Sequence, residues 1–431
     1  MIVLALNELN VDYIKYYVEK GELNNFKILF KNGIVSTESE KEYRLLEPWI
    51  QWTTVQTGKM FEDHKIFRLG DIVGRNDLKQ IFEVLEEKGL SVGAISPFNA
   101  ENRLKRSKFF IPDPWTQTTS SGGKLIKKLS DTISKFVNTN ASGKVNVFDF
   151  FWLCFSIIYF VRIKKWKDLL SLIIKSSKPG VKAAILDFIL LEVFVTLQKK
   201  NKPDFSFLFF NGGAHIQHHY LFNSDAYKGT IKNPDWYCSE SWDPLQMILK
   251  TYDKIIGDLL KTGERIVGIT GLHQSPTEIQ SFYWRPLNHK AFLRKLGIDS
   301  NINVIPRMSR DFLINFENKL DAKSAEEILL SYVDLENKNK VFNVDNRGNS
   351  LFVEIIYSNN IDNNTAFLSK RIGITINNLK EELAFVAIKN GKHNGLGYIF
   401  SNLDLNLPKV IGLYEVYDIL ISLALKDFKN S

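Results

Sequence analysis

The sequence predicts an α/β fold: a mainly parallel central sheet with helices on both faces, a three-layer core broken by two insertions. Short apolar segments alternate with amphipathic ones, the pattern of strands joined by crossover helices. Several apolar segments are near-continuous rather than alternating, as strands buried on both faces are. A chain of 431 residues, 44% hydrophobic and 24% charged, has the composition of a globular protein able to bury a large core.

Ile2–Leu6 reads as the first strand and Val11–Lys20 as the helix after it. Asp77–Lys88 carries Leu78, Ile81, Phe82, Val84 and Leu85 at helical spacing and stops at Gly89; Ser91–Ile95 is then a strand. Phe205–Phe210, after Lys202-Pro203-Asp204, reads as a central strand. Leu245–Leu260 is a helix and Arg265–Thr270 the strand that follows. Ala384–Lys389 and Tyr398–Ser401 are further strands, and Leu413–Leu425 is a closing helix. Segments 1–115, 201–286 and 384–431 thus form the core. Segment 116–200 is a basic, aromatic helical insertion expected to act as a lid, and 287–383 a small α+β insertion with a strand at Leu351–Tyr357. No internal repeat appears.

The net charge of +8 is unevenly spread. Between Glu101 and Lys200 there are 18 Lys and Arg against 7 Asp and Glu; the remainder holds 38 against 41 (56 less 18, 48 less 7). This fits a solvated helical surface, or a positive lid facing an anionic substrate, an acidic partner or a membrane surface. No nucleic-acid reader motif accompanies the charge. The apolar run Val145–Ile163 is interrupted by Asn146, Asp149 and Arg162, so a buried helix is expected rather than a membrane span. Met1–Leu6 is too short for a signal peptide and lacks its basic start, which predicts a cytoplasmic protein. Two cysteines, Cys154 and Cys238, allow one disulfide at most and no cysteine-based zinc site.

The chemistry-bearing residues share one position. Glu8 follows the first strand, Asn211 and His215 follow Phe205–Phe210, His273 follows Arg265–Thr270, and His393 follows Ala384–Lys389. In an open parallel sheet the carboxyl ends of the strands form the binding crevice. Imidazole and carboxylate together suit zinc and similar metals. Any one of these histidines alone is as well explained as a surface residue; it is their shared position that points to a metal.

Five stretches in order resemble the alkaline-phosphatase superfamily, in its type I phosphodiesterase and nucleotide pyrophosphatase branch. Asn211-Gly-Gly-Ala-His215 is similar to Asp-x-x-x-His, Ile269-Thr-Gly-Leu-His273 to Ser-Asp-His-Gly, and Gly391-Lys-His393 to Gly-x-His. The helix Tyr252-Asp253…Gly257…Leu260 and the stretch Thr57-Gly58…His64 complete the set. The resemblance covers roughly 1–115, 200–280 and 384–431. It implies an alkaline-phosphatase-like core, divalent metal and an anionic phosphoester substrate, small-molecule or glycan. By position it implies one metal on Asn211, His215 and His393, and a second near Glu8 and His273.

The departures are chemical. Glu8 stands for a first-strand Asp, Asn211 for an Asp, and Leu272 for a metal-binding Asp. Nine residues before Thr57, where the family places its nucleophile, the chain has Pro48. Glu47, Thr53 and Thr54 flank that position as candidate catalytic groups, and Gln51, Trp52 and Arg68 as substrate-contacting ones. One zinc with an activated water is therefore expected over two metals and a covalent step. The alternatives are a lapsed member that binds an anionic ligand or a protein partner, and a transferase acting on surface-polysaccharide or lipid-linked intermediates. Peripheral membrane contact through the basic insertion is compatible with each. His218 and His219 share a helix face with His215, but a surface pair is the simpler expectation.

Overall fold

Ile2–Leu6 is apolar at every position and buried at every position, which places it in the middle of an eight-stranded sheet. The strand order is Val410–Gly412, Ile34–Glu38, Leu396–Ser401, Ile266–Ile269, Ile2–Leu6, Phe205–Phe210, Val92–Ile95 and Phe109–Ile111. Leu4 pairs with Leu208 on one side and Gly268 on the other, both parallel. Only Leu396–Ser401 runs antiparallel to its two neighbours. The computed structural model describes residues 1–139, 147–299, 301–307 and 310–429.

Alternation of side chains along the strands fills both layers. Ile2, Leu4 and Leu6 pack with the helices Val11–Glu19, Asn24–Phe30, Val181–Asn201 and Pro244–Leu260. Val3 and Ala5 point the other way, to Pro48–Thr57, Ile81–Glu87 and Glu415–Lys429. Asn10 and Asp243 cap their helices through side-chain oxygens that accept from Asp12 N and Gln246 N. The mainly parallel sheet with helices on both faces is the architecture the sequence predicts.

The chain forms two units, Met1–Pro276 with Gly391–Ser431, and Thr277–Asn390. Segment 116–200 falls within the first; its described helices are Lys124–Thr139, Val147–Phe160, Trp166–Ile174 and Val181–Asn201. The second unit holds a four-stranded antiparallel sheet and a three-stranded one, with the helices His289–Lys295 and Lys319–Leu330. Phe292, Phe312, Ile314, Leu351 and Val353 are buried in its core.

Two expectations are corrected. Ala384–Lys389 is not a core strand: it lies inside Leu383–Asn394, which pairs with His273–Pro286 in a separate two-stranded ribbon. The sheet position beside Ile266–Ile269 is taken by Leu396–Ser401 instead. The apolar run beginning at Val145 is not a fully buried helix: over Val147–Phe160 one face packs and the other leaves Phe148, Phe151 and Ile158 exposed; residues 145 and 146 lie outside the described residues. Cys154 and Cys238 are both free thiols. Among the described residues no helix is long and apolar enough to cross a membrane.

Candidate metal centre

The first strand ends at Leu6, and the backbone then turns sharply, with Glu8 at φ 57°. A left-handed conformation costs a non-glycine residue about 1–2 kcal/mol, so the surroundings must hold it. They do so on the main chain: Glu8 N donates to Thr270 O at 3.0 Å, while Glu8 O accepts from Gln217 Nε2 at 2.8 Å and Gln274 N at 3.2 Å. The turn directs a buried carboxylate to the edge where the parallel strands end.

Both carboxylate oxygens are held. Oε1 accepts from Asn7 Nδ2 at 3.0 Å and Oε2 from Gln274 Nε2 at 2.6 Å. Asn7 is itself fixed, with its Oδ1 accepting from Trp52 Nε1 at 2.7 Å and its Nδ2 also donating to Asn211 Oδ1 at 2.8 Å.

Two histidines meet that carboxylate. The helix Gly212–Tyr220 carries His218, whose Nε2 is 2.9 Å from Glu8 Oε2. His393 Nε2 is 3.2 Å from the same oxygen and 3.3 Å from His218 Nε2. His393 reaches this edge because Leu396–Ser401 is antiparallel: the start of that strand lies where its neighbours end. On the far side of the ring, His393 Nδ1 is 3.7 Å from Glu47 Oε2. Burial raises the Glu8 carboxyl's pKa, but His393 and His218 overcome this by charge and hydrogen bonding and hold it well below the usual carboxylate range.

Glu8, His218 and His393 form a three-residue group whose donor atoms all lie within 4.8 Å of one another. Four ligands about 2.0–2.1 Å from a zinc ion in a tetrahedron stand about 3.3 Å apart. The three observed separations, 2.9, 3.2 and 3.3 Å, are close to that edge. Two imidazole nitrogens facing each other and one oxygen make poor mutual hydrogen-bond partners, because a proton on each nitrogen would point at the other. Three lone pairs directed at one cation remove that conflict. Side-chain exposure rises from 2% at Glu8 to 14% at His393 and 27% at His218, so the tripod opens on the histidine side. The residues fit a metal ion with an open position.

The chain is similar to solved hydrolase and phosphodiesterase structures. Phosphonoacetate hydrolase from Sinorhizobium meliloti, in complex with phosphonoformate, matches at TM-score 0.44 and 12% identity, over 98% of this chain and 95% of that one. Murine ectonucleotide pyrophosphatase/phosphodiesterase 5 matches at 0.45 and 12%, over 99% and 95%. The human protein of that name matches at 0.43 and 9%, over 99% and 94%. No family model and no curated protein matches the chain.

The structure groups the expected ligands differently from the sequence. His393 sits with Glu8 and His218, not with Asn211 and His215. His215, one turn before His218 on the same helix, is not part of the group: it is exposed, its ring 5.0 Å from His219 and 6.2 Å from Tyr220. Asn211, half-buried at the helix start, binds Asn7. His273 is buried, with Nδ1 2.7 Å from Leu396 O and its ring stacked on Tyr398; burial lowers its pKa.

Gln51, Trp52, Thr53 and Thr54, expected to meet substrate, are buried inside the helix Pro48–Thr57. Thr53 Oγ1 donates to Trp49 O at 2.8 Å and Thr54 Oγ1 to Ile50 O at 3.3 Å, so each hydroxyl serves its own helix. Gln51 Nε2 donates to Leu45 O, and Trp52 touches the centre only through Asn7. Arg68 is half-buried, its backbone N–H donating to Asp71. Of the catalytic candidates, Glu47 alone stands at the centre. Sequence reasoning undervalued His218 and missed Asn7, Gln217 and Gln274; the spacing of His218 from His215 was the available signal.

Proposed function

We propose that the chain is a metal-dependent hydrolase of an anionic phosphoester, with one divalent cation held by Glu8, His218 and His393. The observation that carries this reading is the convergence of Glu8 Oε2, His218 Nε2 and His393 Nε2 on one point open to solvent. Two imidazoles and a carboxylate favour zinc. When bound, zinc in such a site supplies Lewis acidity and a water ionised near neutral pH.

The chain's own residues arrange that chemistry. Asn7 and Gln274 fix the Glu8 carboxylate, and Glu47 Oε2, 3.7 Å from His393 Nδ1, sets a negative charge behind that ring. His273 anchors the start of Leu396–Ser401, directly after His393. With Pro48 opening a helix where the family places a nucleophile, and the nearby threonines buried, water is the attacking group in this proposal. The same observation supports a second reading, a lapsed member that binds an anionic ligand without turning it over.

Metal analysis of the purified full-length chain tests the proposal. About one equivalent of zinc is expected, lost in His218→Ala and in His393→Ala and kept in His215→Ala. No bound metal under metal-replete conditions overturns it. Hydrolysis of nitrophenyl phosphodiesters or monoesters by the loaded protein supports the enzyme, and bound metal without turnover supports the second reading.

A further inference from the structure

The helix Val147–Phe160 is apolar nearly all round. A helix of that kind is ordinarily enclosed by protein. Here Leu153, Ile157 and Phe160 pack inward, while Phe148, Phe151, Phe155, Ile158 and Tyr159 are 74, 60, 43, 67 and 53% exposed. Positions 148, 151, 155 and 158 or 159 recur at three- and four-residue intervals, so they form one continuous stripe. The next helix, Trp166–Ile174, repeats the arrangement: Leu169 is buried, whereas Ile163 just before it and Ile174 at its end are 91% and 81% exposed. Both inner faces meet the helix Val181–Asn201 in a shared cluster of Ile157, Val161, Leu169, Leu172 and Phe188.

The surrounding charge identifies what such a surface fits. Between Ser121 and Lys182 there are twelve Lys and Arg against three Asp. Lys164, Lys167 and Lys175 are exposed within the same run as Ile163, Leu170 and Ile174. Lys128 lies over the Trp152 ring at 5.8 Å, and Trp152 and Trp166 are half-buried, as interfacial tryptophans are. The corner between the helices is locked by ion pairs: Arg162 to Glu192 at 2.6 Å and to Asp258 at 2.9 Å, and Lys165 to Asp258 at 2.6 Å. Exposed aromatic and aliphatic side chains bordered by lysine suit an anionic lipid surface, where apolar burial and charge attraction act together. Fourteen residues of helix extend about 21 Å, less than the ~30 Å of a bilayer's hydrocarbon core.

We infer that this face docks in the plane of an anionic membrane surface, with Phe148, Phe151, Phe155 and Ile158 entering the headgroup–acyl boundary and the lysines meeting lipid phosphates. The inference is independent of whether the metal centre turns over substrate.

Flotation of the full-length chain with vesicles of phosphatidylglycerol and phosphatidylcholine, beside vesicles of phosphatidylcholine alone, tests it. The wild type is expected to float with the anionic vesicles, and less so as salt rises. The double variant Phe151→Asp/Ile158→Asp changes only exposed positions and is expected to lose binding by about tenfold or more. Lys164→Glu/Lys167→Glu is expected to erase the preference for anionic lipid. Circular dichroism and zinc content check that each variant is folded. Failure of the wild type to float, or equal flotation of the variants, overturns the inference. A wild-type dimer that Phe151→Asp/Ile158→Asp converts to monomer overturns it too, and assigns the face to a second copy of the chain.

Discussion

Glu8 Oε2 lies 2.9 Å from His218 Nε2, and the residue holding it there has a left-handed backbone. That combination separates shape from charge. Glu8→Gln keeps the side chain's outline and the backbone's strain but removes the charge. Zinc affinity, read by competition with a chelator, is expected to fall by more than about 100-fold, beyond the loss typical of an outer partner. Unchanged affinity would show that Glu8 is not a ligand.

Glu47 makes the complementary case. It stands behind His393 at Nδ1 rather than at the metal point. Glu47→Gln should weaken zinc binding by only about 10–100-fold, and leave the melting temperature of the metal-free protein unchanged. A loss as deep as that of Glu8→Gln would place Glu47 among the ligands.

Asn7 joins Trp52, Glu8 and Asn211 through one amide. Asn7→Ala leaves Trp52 Nε1 unpaired in the core, and each buried polar group left so costs about 1–3 kcal/mol. Denaturant unfolding should show that loss, and Trp52→Phe added to Asn7→Ala should recover part of it. Additive losses would contradict the bridge.

Gly391 leaves no room for a side chain: a Cβ there would meet Gln274 Oε1 at 2.0 Å and Gln217 O at 2.8 Å. Both glutamines bind Glu8. Gly391→Ala is expected to cost about 1–3 kcal/mol by overpacking and to weaken zinc binding as well. A variant that binds zinc normally would show that the glutamines are dispensable.

Asp187 sets a pH dependence. Burial pushes its carboxyl up to about 7, against hydrogen bonds from Tyr252, Gly212 and Asn211 that pull it down. Tyr252 Oη donates to Oδ2 at 2.5 Å and Gly212 N at 2.9 Å. The folded pKa lies above the unfolded value, so the folded state holds the proton more tightly. That stability is complete below about pH 4 and is lost as pH rises through about 7. Unfolding free energy of the wild type should therefore decline between pH 4 and 7 relative to Asp187→Asn, with the metal-free protein used for both. Parallel curves would contradict the shift.

The fold was legible where burial dictates composition. Ile2–Leu6 and Phe205–Phe210 read as central strands because both faces of each are covered. Strand direction leaves no such mark, so Tyr398–Ser401 read as one more strand rather than as part of the reversed strand Leu396–Ser401. For the site, Glu8 was singled out by its place after the first strand and His393 by a strand that proved not to belong to the sheet, and His218, which the structure sets beside both, was passed over. His215 and His218 are equally plausible from spacing alone, and only the rotation of Gly212–Tyr220 against Glu8 chooses between them. Thr53 and Thr54 misled because a hydroxyl near a lost nucleophile looks available until the helix around it is seen to bury it.

The reversal of Leu396–Ser401 also has a consequence in time. Glu8 leaves the ribosome before His218, and His218 before His393. A nascent chain ending before residue 390 carries two of the three proposed ligands and none of the segment that closes the tripod. In the proposed site, tight metal capture would then wait until the segment carrying His393 has emerged and Leu396–Ser401 has paired in the sheet.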